Sequence, residues 1–368
     1  MYKDNLYKGF EIELFTGTYN SHVGVSDQIE KLFSDFVKEP DNRNVEYITN
    51  PHKSYQELHQ ALLKPRKKLR KWLQEKDLTI IPSSTLCFSH DNKFQRSDVG
   101  NVYHQFIESN YGIKIATSSV HINLGVDNLQ KLFAAIRLAR CEASLYLSLS
   151  ASSPFLNGKF TGNHSQRWIQ FPKTPPKIPF FINQQQYIDW IEKNLICGNM
   201  QNIRHFWSSI RPNGPKRPYE LDRLELRICD FIADIDLLLS ITSFLEIRTL
   251  YLFNNIKEVD PIFTSKFSLD ELQVICDQNE LEAAKGSLNS ELIHWKDGQT
   301  IICKDWIHNL LDEMSVFAKE LNMYQHLEPI YKLIEDGNQS MKWIEKYNKG
   351  FSIEDIMKFE IDNMMKNE

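Results

Sequence analysis

The sequence predicts an α+β fold, a single mixed domain over residues 1–368, on three observations. Four separated segments alternate apolar and polar side chains with the period of two that marks a half-buried β-strand. They are GFEIELF (9–15), NVEYIT (44–49), SVHINLGV (119–126) and RLELRIC (223–229). Residues 54–76, 127–149, 184–196 and most of the chain beyond 230 carry helical periodicity instead. No repeat, low-complexity tail or clean linker separates the two kinds of segment, so strands and helices belong to one intertwined unit.

In chain order, residues 1–50 read as strand-rich, with turns at TGTYNS and EPDNRN. A helix follows at 54–76, then a short strand and loop in LTIIPSSTLCF, a helix in VGNVYHQFIES and a strand in ATSSVHINLGV. Residues 127–149 predict one long apolar helix, with Asp127 capping its first turn through its carboxylate. SASSPFLNGKFTGNHSQRW is rich in Ser, Gly, Asn and Pro, as a solvated connection or a site loop would be. FPKTPPKIPF predicts extended chain. RPNGPKRPYE reads as a turn-dense loop before the strand LDRLELRICD, and helices fill the remainder.

Composition narrows the function. A hydrophobic content of 42% over 368 residues is enough for a sizeable core. A net charge of −5 and a pI near 6.2 argue against a general nucleic-acid binder. The one basic run, KPRKKLRKW at 64–72, reads either as the solvated face of an amphipathic helix or as an anion-steering patch. The six cysteines lie far apart with no C-x-x-C pair, which removes zinc-ribbon and thioredoxin readings. The longest apolar region, 228–253, is broken by Asp230, Asp234, Asp236, Glu246 and Arg248, so it predicts a buried helix rather than a membrane span. With no signal-peptide pattern, the expectation is a cytoplasmic protein with reduced thiols and no membrane partner.

The four strands repeat one device. Phe10, Ile12 and Leu14 share a face opposite Glu11 and Glu13; Val45 and Tyr47 oppose Asn44 and Glu46. Val120, Ile122 and Leu124 oppose His121 and Asn123, and Leu224, Leu226 and Ile228 oppose Glu225, Arg227 and Cys229. A solvated sheet face would favour Lys, Thr, Ser and Gln; this one concentrates metal-binding types. If the strands share a sheet, Glu11, Glu13, Glu46, His121 and Glu225 can hold hard divalent cations such as Mg²⁺, which takes carboxylate oxygens together with substrate phosphates. Arg227, two residues after Glu225, can clamp a phosphate with its planar fork. Each strand alone reads more often as an exposed polar face than as a metal site, and His121 alone more often as an ordinary hydrogen-bonded histidine than as a ligand. No P-loop, Rossmann turn or serine-hydrolase elbow is present.

At these residues the sequence resembles the glutamate–cysteine ligase (γ-glutamylcysteine synthetase) family, in particular its cyanobacterial type. The resemblance runs through GFEIELFTGT, FVKEPDNRNVEYITNP, ALLKPRKKLRKWL, TSSVHINLGV, ARCEASLYLSLSASSPFLNGKFTGNHSQRW and LDRLELRICD, over about residues 8–232, and weakens beyond. It implies a glutamine-synthetase-like catalytic sheet, curved, mostly antiparallel and wrapped by helices. It implies ATP-dependent joining of the L-glutamate γ-carboxylate to the amine of L-cysteine through γ-glutamyl phosphate, the first step of glutathione biosynthesis. Carried over by position, Glu11, Glu13, Glu46, His121 and Glu225 are the implied Mg²⁺ ligands and Arg227 a phosphate contact. Ser152, Ser153 and Arg167 are implied to wall the substrate and nucleotide site. Arg43, Arg167 and Arg211 are candidates for holding the transferring group or the glutamate carboxylate. Related ligases often carry His-x-His in the third strand, and here Ser119 takes the first of those positions. Three alternatives stay open: a different amine acceptor, a stable phosphorylated product, or a metal- or nucleotide-binding protein without catalysis. The oligomeric state cannot be read from the chain.

Overall fold

The computed structural model describes residues 5–90 and 92–368. Seven strands form the main sheet: β1 (Lys8–Gly17), β2 (Phe36–Lys38), β3 (Asn44–Ile48), β4 (Thr79–Ile81), β5 (Val120–Gly125) and, after the small ribbon β6 (Phe155–Leu156) and β7 (Lys159–Phe160), β8 (Ile210–Asn213) and β9 (Arg223–Leu226). Their order is β2-β3-β1-β5-β9-β8, with β4 beside the end of β1, and every pairing is antiparallel. β1 is long because it serves three neighbours: β3 along one edge, β5 and then β4 along the other. It ends at Gly17, where a Cβ would stand 2.1 Å from the Ser21 carbonyl, so only glycine permits the turn that follows.

The apolar face of the sheet is the core. Phe10, Ile12, Leu14, Val45, Tyr47, Val120, Ile122, Leu124, Leu224 and Leu226 are all buried, each contributing about 1.5–3 kcal/mol by leaving water. Over them lie the helices, introduced in chain order as α1 (Ser26–Leu32), α2 (Tyr55–Gln74), α3 (Val102–Tyr111), α4 (Leu129–Cys141), α5 (Ala143–Ser150), α6 (Gln166–Gln170), α7 (Gln184–Ile196) and α8 (Ile235–Asn254). α8 is buried almost all round and packs against α2 and α4. Among the described residues no helix is long and apolar enough to cross a membrane.

Several expectations change. Residues 127–149 form two helices, broken at Glu142, whose buried carboxylate pairs with Arg248 of α8 at 2.8 Å. The first of them is capped by Asn128, which accepts the Lys131 N–H at 3.0 Å, rather than by Asp127. α1 and the hairpin β10 (Glu291–Ile293) and β11 (Thr300–Ile302) were not anticipated. RPNGPKRPYE begins as β8: Pro212 hides a strand, and β8 tolerates it because it is an edge that needs no outward N–H donor. In the basic helix the lysines do face solvent, but Arg66 and Arg70 are buried and bind Glu368.

Candidate active site

Antiparallel register turns separated acids into neighbours. Glu11 lies opposite His121, Glu13 opposite Glu46, and Glu225 opposite both Asn123 and Arg211. The polar face of the sheet therefore divides into an acidic half on β1, β3 and β5 and an arginine half on β8 and β9.

In the acidic half, one ligand atom each from Glu11, Glu46 and His121 lie within 4.8 Å of one another. His121 Nδ1 meets Glu11 Oε2 at 2.9 Å, and the Asn123 amide donates to Glu11 Oε1 at 3.2 Å. Ser119 links the next pair: its hydroxyl donates to Glu13 Oε2 at 2.7 Å and lies 3.1 Å from His121 Nε2. Burial, then Glu39, Glu11 and Glu13, push the Glu46 carboxyl well above the usual range. Burial also raises Glu13 and Glu39. Glu11 goes the other way: burial and Glu225 push it up, but the His121 bond and Arg227 outweigh them.

Glu39, just past β2, is a residue that sequence reasoning missed. It lies close to Glu46, and burial among like charges raises both carboxyls, which favours a proton held between them. A divalent cation would replace that proton, and hard carboxylate oxygens suit Mg²⁺. The donor set therefore fits the metal that the sequence implied, with Glu11, Glu46 and His121 to hold it and Glu13 and Glu39 beside them.

The arginine half is arranged differently. Arg211 grips Glu225 with Nε and Nη2 at 2.7 and 3.0 Å, and the Asn213 amide adds a bond of 2.7 Å. Arg227 Nη1 also donates to Glu225, and Arg217 Nη1 lies 4.0 Å away. Burial alone would raise the Glu225 carboxyl, but Arg211, Arg227 and His121 hold it well below its usual range. Its oxygens thus meet arginines, and the carboxylate expected as a metal ligand also orients these guanidinium groups. Arg217 was not foreseen; burial lowers it to about 10, and among the described residues its Nε and Nη1, like Arg227 Nε, have no hydrogen-bond partner. Unpartnered buried guanidinium donors are costly unless an anion meets them.

The remaining expected residues build the frame. Arg167 donates to the carbonyls of Ile228 and Arg227, both at 3.0 Å, and so fixes the turn after β9. Ser153 Oγ and the Ser152 N–H both bind Asp230 Oδ2, at 2.7 and 2.9 Å, and Ser152 Oγ donates to the Phe231 carbonyl at 2.7 Å. Those hydroxyls hold the scaffold together here. Arg43 likewise spends its guanidinium on Asp41, at 2.8 and 2.7 Å, and on the Lys93 carbonyl. Cys229, expected on the polar face, turns into the apolar core because the alternation ends with β9 at Leu226.

An antiparallel sheet whose polar face has an acidic half suited to a cation and an arginine half suited to an anion fits a phosphoryl-handling class of ligase. The sequence profile described as glutamate-cysteine ligase family 2 (GCS2) matches residues 8–364, and the chain belongs to that family. A putative glutamate–cysteine ligase 2-2 of Legionella pneumophila (strain Corby) is 26% identical over 242 residues, 64% of this chain and 61% of the relative's length. A putative glutamate–cysteine ligase 2 of Chloroflexus aurantiacus is 21% identical over 87% of this chain and 79% of its own. Among solved structures, the glutamate–cysteine ligase of Francisella tularensis in complex with AMP matches with a TM-score of 0.78 at 17% identity, covering 99% of this chain and 89% of that one. The bifunctional glutathione synthetase of Pasteurella multocida matches at 0.76 and 14%, covering 99% of this chain and 53% of that one. At these identities the structures establish the shared fold.

Proposed function

We propose that the chain is one catalytic domain that ligates the γ-carboxylate of L-glutamate to the amine of L-cysteine, using ATP and Mg²⁺ and passing through γ-glutamyl phosphate. Membership of the glutamate–cysteine ligase family supports the reaction, and the division of the polar face supports its chemistry. A free carboxylate does not acylate an amine at neutral pH. Phosphorylation makes an acyl phosphate, the amine attacks, and phosphate leaves. Such transfer asks for positioning and charge neutralisation more than for a protein nucleophile. Mg²⁺ held by Glu11, Glu46 and His121 would supply Lewis-acid neutralisation of phosphate oxygens. Arg227 and Arg217 present donors with no protein partner, where the transferring phosphoryl group or a substrate carboxylate can take them up. Glu225 and Arg211 keep Arg227 in position. Ser119 holds Glu13 and His121 together, so the metal side stays ordered with one imidazole.

The test is product analysis. Purified protein with ATP, Mg²⁺ and glutamate should release ADP only when an amine is added, with cysteine preferred and γ-glutamylcysteine found by mass spectrometry. Equal ADP release without cysteine, and no peptide formed, would remove the ligase reading. A panel of other amines tests the acceptor, because no residue on the page selects for a thiol.

A further inference from the structure

Helix α3 spans the polar face of the sheet from one edge to the other. The segment leading into it is tied to the acidic edge. There the Ser97 N–H donates to the Pro40 carbonyl at 3.0 Å, the Ser97 hydroxyl to the Glu39 carbonyl, and Asp98 pairs with Lys38 of β2 at 3.3 Å. The last residue of α3, Tyr111, is tied to the arginine edge: its hydroxyl lies 2.6 Å from His205 Nε2 and its ring packs on Trp207, just before β8. Between these anchors stands Tyr103, half-buried, its phenol pushed up to about 12 by burial, with charges from both edges, Glu39 and Arg211, acting on it. The charges acting on Glu39 include Arg204 as well as Arg227 and Glu11 on the sheet. Arg204 therefore reaches the same cleft from the α3 side. Its guanidinium lies over the Tyr103 ring, 5.9 Å from the centroid. The residue is exposed and, among the described residues, its side chain has no ion pair or hydrogen bond.

We propose that Arg204 binds the α-carboxylate of the amine acceptor and that Tyr103 positions its guanidinium, an assignment that rests on the ligase reading above. A guanidinium meets a carboxylate with two parallel donors. Stacking on a phenol ring limits how that flat group turns. The reactants bring two carboxylates that the reaction leaves unchanged, the α-carboxylate of the glutamate and that of the acceptor. The idle donors on the sheet side, Arg227 Nε and Arg217 Nε and Nη1, are buried and serve the groups that enter before the amine. The acceptor is needed only once the acyl phosphate exists, so it arrives last, from the solvent side. Arg204 is the cation exposed on that side with no protein anion to hold. The acceptor is then an amino acid that carries its carboxylate, and a simple amine of the same side chain is a poor substitute.

Cysteine and cysteamine, which differ only by the carboxylate, test the assignment. Wild-type protein should use cysteine with a kcat/KM at least about 100-fold above that for cysteamine. Arg204→Gln should raise the KM for cysteine at least about tenfold while keeping kcat and the KM values for glutamate and ATP. It should use cysteamine as the wild type does, so the preference for the carboxylate collapses. Its melting temperature should match the wild type, because the side chain holds no other group. Tyr103→Leu, which removes the ring under the guanidinium, should repeat the pattern more weakly; an equal effect on both amines overturns its positioning role. An unchanged KM for cysteine in Arg204→Gln, an equal loss with both amines, or a rise confined to the KM for glutamate or ATP overturns the assignment while wild-type ligation stands. ADP release by the wild type with neither amine removes the ligase reading itself, and the assignment with it.

Discussion

The two halves of one sheet face solve opposite electrostatic problems. In the acidic half, Glu11, Glu13 and Glu46 gather round one imidazole, and burial among like charges raises Glu39 and Glu46. In the arginine half, Glu225 sits among Arg211, Arg217 and Arg227, and positive charge is left over. The first half is short of a cation and the second of an anion. A metal–phosphate assembly lying across both would relieve both at once, whereas either half alone reads as a crowded structural cluster. The difference between them can be broken experimentally.

The largest effect should come from withdrawing the cation. Chelation of divalent metal should lower ADP release by at least about 10³-fold, with recovery on adding Mg²⁺. Undiminished turnover in chelator would mean that the acidic half is a protonated structural cluster.

Next come paired carboxylate variants, for which the halves predict opposite signs of stability. Glu225→Gln leaves buried guanidinium groups without their anion and should cost about 3–5 kcal/mol of unfolding free energy. Glu46→Gln supplies a neutral hydrogen-bonding partner without the proton that the raised Glu46 carboxyl must otherwise take up, so the metal-free Tm should rise by about 1–3 °C. Its activity should nevertheless fall by at least about 100-fold, as should that of Glu11→Gln and Glu13→Gln. Thermal unfolding without metal, set beside kinetics with it, checks both. A Tm that falls equally in Glu225→Gln and Glu46→Gln would erase the distinction.

Arg227→Lys sharpens the arginine half. A lysine can still reach Glu225, so the fold should persist, but the planar fork and the unpartnered Nε are lost. We expect kcat to fall about 10- to 100-fold with most ATP affinity kept, because a point charge replaces two aligned donors. An unchanged kcat at saturating ATP would leave Arg227 a structural partner of Glu225.

The acidic half was legible in the sequence and the arginine half mostly was not. Glu11, Glu13, Glu46 and His121 sit on strands whose period-two alternation announces a common face, and only the pairing had to be supplied by the fold. Glu39 follows a three-residue edge strand too short to show a period. Arg211 was named from the resemblance, but its strand was hidden by Pro212 and the glycine after it, residues that read as a turn. Arg217 lies in the loop between β8 and β9, where no periodicity points a side chain anywhere. Glu225 reads as a metal ligand from its strand, but the arginines around it could not be read there. Its role depends on Arg211, which only the β8–β9 register brings opposite.

The smallest expected effect concerns His205, which supports the arginine half from below. It precedes β8 and packs edge-on among Phe106, Tyr111 and Trp207. The Gln201 N–H donates to its Nδ1 at 3.2 Å, so that nitrogen is an acceptor and the proton sits on Nε2, facing the Tyr111 hydroxyl at 2.6 Å. Protonating Nδ1 would break the Gln201 bond and place a charge among rings. Burial accordingly lowers the imidazole to about 4. Since the folded value lies below the ordinary 6.5, the unfolded chain binds more protons between those values. Stability from His205 is therefore complete above about pH 6.5 and drains away as pH falls toward 4. The loss across that window should be on the order of 1–3 kcal/mol. His205→Gln keeps a polar side chain without a titrating ring, and its unfolding free energy should vary less with pH between 6.5 and 4 than that of the wild type. Identical pH slopes in chemical denaturation of the two proteins would show that His205 takes up its proton at no cost to the fold, and that β8 is held by its pairing with β9 alone.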